Sequence, residues 1–561
     1  MKRRIIILMA IAVSAIGSSA QNLSESLLVE GHFRPEVISA DRLSVLPAPL
    51  TLKVPESLMS YDRNGVIASF APDALAMEAT GWRSSKIFDK SKGYVDVRLG
   101  SWLNSSLSAG YNPVRNDNTC FNVYLQHNST SLRRAWKGNK ESTGVSGDRC
   151  FRYDETIGTH LKQKIGEAGL LSVAGQYHIG YFNYYGTSTG PVENGKIKAP
   201  TQTLNDAYAD IAWIGNEIGK FSYAADADVR YFGYRAMYLP IPGKNGSFAE
   251  NKGDRETSVN IGAKIGYKIG AHGNLRLNAR YSGVINNVGN NVNRAEIIPS
   301  YGFSKKFYSF RLGMNVAVTE NGEQTRLRIA PDVMFSARKG IISVSANIGG
   351  GTHLRTLAWA HMYDYYSDPG ALCYKAAYSP IDADVAFQLN PGGKWTFGVD
   401  WRWRTTLDET FGGYYQALLN DMPLPENAFP ESGHIHGFRL EVNAGYDFCR
   451  YFSLKGKGSW QPQNGTTGFF NGFDRAVFTA DVMAESHPIE KLMFALNYNL
   501  RAKRLLLPGN ISQLNFRGEY QATQKISIGV EIRNLLNRHE YSFPGISLEG
   551  ISFLAGAGIK F

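Results

Sequence analysis

The sequence predicts an all-β fold: a transmembrane antiparallel β-barrel of about 22 strands, with 20 or 18 left open, behind a short N-terminal periplasmic or lumenal segment. Three observations lead there. Apolar and polar residues alternate with a period of two through most of the chain after residue 90. The alternating runs last about 10–13 residues, which suits a tilted membrane crossing better than an ordinary strand of about 5–6. Connections alternate between short and long, as they do when turns lie on one side of a membrane and loops on the other.

Composition agrees. The 561 residues are 43% hydrophobic, 12% aromatic and only 19% charged, which excludes a disordered chain. Beyond the N-terminus no run approaches the roughly 18 apolar residues of a membrane helix, so a multi-pass helical protein is excluded. The formal net charge is +11, yet basic residues are scattered through the strand patterns, and nucleic acid is not an expected partner. Four cysteines are too few for a disulfide scaffold and show no zinc spacing.

Taken in order, residues 1–20 read as a secretory signal. Lys2, Arg3 and Arg4 precede an apolar stretch of about 12 residues, and small residues lead to Ala20. Residues 21–91 follow, with Pro35, Pro47, Pro49 and Pro55 favouring an extended strap over a packed domain. Leu43, Leu46, Leu50, Leu52 and Val54 make that strap too apolar for a free tail. Residues 92–561 form the barrel.

Within the barrel, Ile551, Phe553, Ala555, Ala557 and Ile559 share one face of the last strand, while Ser552, Gly556, Gly558 and Lys560 share the other. Ile526, Ile528, Val530 and Ile532 alternate with Ser527, Gly529, Glu531 and Arg533 in the strand before it. Trp395, Phe397, Val399, Trp401 and Trp403 do the same against Thr396, Asp400, Arg402 and Arg404. Short connections fall near 164–169, 215–219, 270–273, 337–340, 390–393 and 449–451. Long ones are expected at 128–153, 183–204, 233–255, 351–380, 405–433 and 461–471. Strand parity, with both chain ends of the barrel on the short-turn side, selects an even number.

Two terminal features carry a resemblance. The chain ends Gly558-Ile559-Lys560-Phe561, and Val530-Glu531-Ile532-Arg533-Asn534-Leu535-Leu536-Asn537 precedes it, with Tyr541 and Pro544-Gly545 beyond. Both resemble the end of a TonB-dependent receptor barrel. The resemblance implies 22 strands over residues 92–561 and makes Phe561 the signal read by the barrel-assembly machinery. In that family a TonB box and a globular plug precede the barrel. Here residues 21–91 are too few for a full plug, although Leu27-Leu28-Val29-Glu30-Gly31 faintly resembles its start.

The expected protein is therefore a bacterial outer-membrane channel or receptor for an unidentified ligand, without its own energised plug. The alternative is a non-transporting barrel subunit or scaffold of a multi-protein outer-membrane complex. Its expected partners are outer-membrane lipid and lipopolysaccharide, the barrel-assembly machinery, and an outer-membrane or periplasmic protein.

A barrel of this size has a lumen too wide for its own side chains to fill, so the strap, an infolded loop such as 351–380 or 405–433, or a partner must occupy it. Candidate lumen-facing charges are Arg276, Arg280, Arg326, Arg328, Asp382, Asp384, Asp400, Arg402, Arg404, Arg439, Glu531 and Arg533. They form either a basic path for anions or a network of ion pairs, and the interleaved acids favour the network. His434 and His436 share a strand face but lack a third ligand, so no metal is expected. With no nucleophile-elbow, P-loop or zincin motif, neither catalysis nor a cofactor is expected. Cys120 and Cys150 flank the first long loop and are a candidate disulfide closing about 30 residues, a linkage typically contributing about 2–4 kcal/mol.

Overall fold

Period-two polarity can be satisfied only if every strand has one face in an apolar medium and the other in a polar one, and a closed sheet achieves this with no free edge. The computed structural model shows that sheet. It describes residues 92–561 apart from parts of the longer loops (135–147, 184–191, 241–247, 366–375, 415–426, 463–475 and 505–508) and a few shorter stretches.

The barrel strands run β1 (Gly93–Gly100), β2 (Ser105–Arg115), β3 (Thr119–Arg134), β4 (Asp148–Ile165), β5 (Gly169–Asn183), β6 (Thr201–Gly215) and β7 (Phe221–Tyr234). Next come β8 (Arg255–Ile269), β9 (Gly273–Asn286), β10 (Val292–Lys305), β11 (Tyr308–Glu320), β12 (Thr325–Lys339) and β13 (Ile342–Leu354). The one α-helix among the described residues, α1 (Leu357–Tyr363), then precedes β14 (Ala376–Leu389), β15 (Trp395–Tyr414), β16 (Asn427–Cys449) and β17 (Phe452–Trp460). The last strands are β18 (Ala476–Ile489), β19 (Leu492–Arg504), β20 (Ile511–Gln521), β21 (Ile526–Arg533) and β22 (Ser552–Lys560).

These strands form one 22-stranded sheet. Each pairs antiparallel with its sequence neighbour, and β22 closes on β1 through registers from Tyr94↔Lys560 to Gly100↔Leu554. The Phe561 carbonyl accepts the N–H groups of Lys92 and Gly93 at 2.6 and 3.0 Å, and its ring stacks on Tyr111. The chain terminus is thus part of the closing seam.

Large apolar side chains lie exposed along the outer face of nearly every strand, among them Ile261, Ile265, Leu275, Leu277, Leu327, Ile329, Phe553 and Ile559. An outward band this continuous fits hydrocarbon and not water. Aromatic contacts mark its margins. Phe221–Tyr267, Phe303–Phe310 and Phe448–Phe452 lie at the short-turn end, and Phe151, Tyr153 and Tyr181 cluster at the long-loop end.

The short turns stand as expected, and at Gly270 and Gly340 the backbone takes φ of 61° and 59°, where a side chain is disfavoured. At the other end several strands outrun the sequence reading. β3 and β4 extend to Arg134 and from Asp148, and β15 and β16 to Tyr414 and from Asn427, inside what alternation assigned to loop. Above the membrane both faces are wet, so polarity stops alternating while the backbone ladder continues.

The candidate Cys120–Cys150 disulfide is corrected by register. Cys120 pairs with Lys162 near the short-turn end of β3, whereas Cys150 pairs with Leu132 near the long-loop end of β4. Twelve residues of strand, about 40 Å at 3.3 Å each, separate the two levels. Cys120 is a free thiol. Residues 1–91, with the expected signal and strap, lie outside the described residues.

Candidate functional site: the lumen mouth

The stretch Thr356-Leu357-Ala358-Trp359-Ala360-His361-Met362 interrupts the β pattern with good helix formers and no β-branched residue after Thr356. Thr356 begins the helix: its carbonyl accepts the Ala360 N–H at 2.9 Å and its hydroxyl accepts the Trp359 N–H at 3.1 Å. The two N–H groups left over, on Leu357 and Ala358, donate to the Glu256 carboxylate of β8 at 2.6 and 2.9 Å. A carboxylate at a helix N-terminus also meets the positive end of the helix dipole. Helix α1 is consequently built into the wall from its first residue.

Leu357, Ala358, Trp359, Ala360 and His361 are all buried. The surface that receives them is apolar although it faces the lumen: Phe182 of β5 and Phe232 and Tyr234 of β7 are at most 2% exposed. The His361 ring lies 5.5 Å from Phe232 and 6.4 Å from Phe182, and its Nδ1 is 3.0 Å from the Tyr234 hydroxyl. Burial, with Arg152 and His178 adding unfavourable charge, holds the His361 imidazole well below its ordinary pKa.

Two polar ties fix the flanks of this segment. On one side Arg355 donates from Nε and Nη2 to the two oxygens of Glu409 on β15, at 2.7 and 2.8 Å, with both side chains buried. On the other, the Tyr365 hydroxyl donates to Asp154 of β4 at 2.8 Å, while the Arg152 guanidinium sits 3.4 Å above its ring. Strands β4 and β15 are eleven apart (15 − 4) in a closed ring of 22. Residues 355–365 are therefore tied to opposite sides of the barrel and cross its mouth.

The charged residues expected on the inner wall alternate with the exposed apolar row, and most of them meet oppositely charged partners. Arg402 forks onto Asp382 at 2.8 and 2.5 Å, with Arg404 3.7 Å from the same carboxylate. Arg326 and Arg328 converge on Asp408 at 2.8 and 2.7 Å. Asp408 sits at a bulge with φ of 55°, which turns it towards β12. Arg439 bonds Glu441, which also meets Lys457 at 2.7 Å. Glu531 lies 2.6 Å from Arg533 and 3.8 Å from Arg98, and Arg280 lies 3.8 Å from Asp226. Asp384 and Asp400 occupy the same wall beside Arg402, and Arg276 stands opposite Gly266 and Ser300. This is the interleaved network and not a uniform basic track.

The infolding of loop 351–380 is among the sequence's expectations for the lumen, and residues 355–365 meet it; the residues that anchor the segment are not among them. Glu256, Arg355, His361, Tyr365 and Glu409 were not singled out, although a threonine cap ahead of a helix-forming run in a β chain was a signal. His434 and His436 are exposed and flank Ile435, which is 1% exposed; they point away from the lumen. Among the described residues no group of three metal-binding side chains occurs.

No protein-family model matches the sequence, and no curated protein is significantly similar to it. Solved structures are similar in fold. A siderophore receptor from Acinetobacter baumannii superposes with a TM-score of 0.64 at 11% identity, over 84% of this chain and 80% of that one. A mutant of the ferric enterobactin receptor of Pseudomonas aeruginosa gives 0.62 at 10%, over 84% and 80%. The FrpB iron transporter of Neisseria meningitidis gives 0.61 at 12%, over 84% and 82%. The fold is that of a TonB-dependent receptor barrel. The terminal motifs thus pointed to the right architecture, including its 22 strands.

Proposed function

We propose that this chain is an integral protein of the bacterial outer membrane that admits a solute through the long-loop end of its barrel, as a receptor or channel. The observation that carries the reading is the crossing of the mouth by residues 355–365: an inward-folded segment held by buried polar ties narrows the lumen. A scaffold needs only an outer surface, whereas a built constriction bears on what passes.

The solved structures of like fold extend the reading to ligand class. Two are named as siderophore or ferric enterobactin receptors and one as an iron transporter. Metal chelates, bulky and anionic, are the proposed cargo, with the paired arginines of the inner wall as their contacts. In this reading residues 1–20 are an export signal, and residues 21–91 enter the lumen or periplasm without forming an energised plug. Phe561 serves barrel assembly, lipid and lipopolysaccharide surround the apolar band, and a separate protein completes any energised step.

Equilibrium binding of a panel of ferric siderophores to the purified full chain tests the ligand class. Saturable binding, weakened by Arg328→Ala, supports it. Failure of every chelate to bind, with the barrel folded, refutes it.

A further inference from the structure

We propose that Ser105, His127 and Glu155 form an acyl-ester hydrolase site on the lipid-facing side of the barrel. His127 Nδ1 lies 2.6 Å from Glu155 Oε1, and His127 Nε2 lies 3.0 Å from the Ser105 hydroxyl. The carboxylate thus accepts the Nδ1 proton and leaves Nε2 free to accept the serine proton, the arrangement in which a hydroxyl becomes a nucleophile. Ser129 Oγ lies 2.6 Å from Ser105 Oγ and completes a chain with one consistent direction: Ser129 to Ser105 to His127 to Glu155.

The three groups come from adjacent strands, and register explains their meeting. Leu107 of β2, His127 of β3 and Glu155 of β4 lie opposite one another, and Ser105 precedes Leu107 by two on the same face. That face is the outer one. Leu125 and Ile157, the next pair in the same rows, are exposed to the lipid band. On the other side Ser129 pairs with Tyr153, in the aromatic cluster with Phe151 and Tyr181. The triad therefore sits where hydrocarbon gives way to headgroups, the level at which a lipid carries its ester bonds. A carboxylate on an outward-facing row is costly in a membrane protein, and among the described residues this one is paired with an imidazole and with no Lys or Arg.

Ser105 Oγ attacks the ester carbonyl carbon while Nε2 takes its proton; the alcohol leaves with that proton, and the acyl group remains on Ser105. Water then attacks the acyl-serine, with Nε2 again taking and returning a proton, releasing a carboxylic acid and the free serine. Ester and water become acid and alcohol with no further reactant. Separations of 22 residues between Ser105 and His127 and 28 between His127 and Glu155 leave no linear motif to read.

The test uses the full chain in detergent micelles, once with radiolabelled phosphatidylethanolamine and once with radiolabelled lipid A, together with a fluorophosphonate that traps activated serines. The expected result is covalent labelling of Ser105 and fatty-acid release from one of the two lipids. Release and labelling fall by about 100-fold or more in Ser105→Ala and His127→Ala, and by less in Glu155→Gln. Heat-dependent gel mobility shows that each variant is folded. Release that persists in Ser105→Ala, or no release from either lipid and no labelling of Ser105, overturns the proposal.

Discussion

Arg355 and Glu409 face each other through two parallel hydrogen bonds of 2.7 and 2.8 Å, although one belongs to an infolded loop and the other to the barrel wall. Their side chains are only 4% and 5% exposed, so neither can be satisfied by water if its partner is lost. Breaking a buried pair costs about 3–5 kcal/mol, while replacing both partners costs less. Glu409→Ala is therefore expected to release residues 355–365. The double replacement Arg355→Met/Glu409→Leu recovers part of the loss, and a double-mutant cycle on the unfolding transition measures the coupling.

His361 is expected to make the docked segment less secure in acid than it is in a His361→Phe variant. His361 is held below its ordinary pKa of 6.5 by burial first and by Arg152 and His178 next. A detached, hydrated imidazole binds protons more readily, so protonation favours detachment. The His361 contribution to docking is complete above about pH 6.5 and declines as pH falls below it. A spin label at Met362→Cys, beside the buried helix face, reports this as increasing motion, and His361→Phe flattens the profile.

The assignment of faces predicts unequal tolerance to charge. Ile261 points outward from β8, and Asn260 beside it bonds Asp228 on the inner wall. Ile261→Arg is expected to cost about 2–4 kcal/mol in urea-controlled folding into bilayers. Asn260→Lys keeps Asp228 as a partner and is expected to cost less than about 1 kcal/mol.

Cys120 is free, so no cross-link runs from β3 through this residue. Cys120→Ser is expected to leave the unfolding midpoint unchanged, and the variant is expected to run on a non-reducing gel as the native chain does.

Architecture was legible because the membrane enforces it: Ile526, Ile528 and Val530 must face lipid, and their neighbours must not. The inner wall was legible for the same reason, and its ion-pair network followed from the interleaving of Arg402 with Asp382 and Asp400. Infolding of loop 351–380 was legible as one option, but its anchors were not. Glu256, Asp154 and Glu409 hold the segment from separate strands that only closure of the ring brings within reach, and no local pattern encodes which strands stand eleven apart. Ser105, His127 and Glu155 escaped for a related reason, since register, not spacing, brings them together.

Planar-bilayer conductance tests the central claim most directly, using the full chain and Glu256→Ala/Glu409→Ala, each with and without residues 21–91. If residues 355–365 cross an otherwise passable lumen, the double substitution raises the unitary conductance in at least one of the two backgrounds. Equal conductance in all four proteins, or none in any, each folded by gel mobility, would contradict the account.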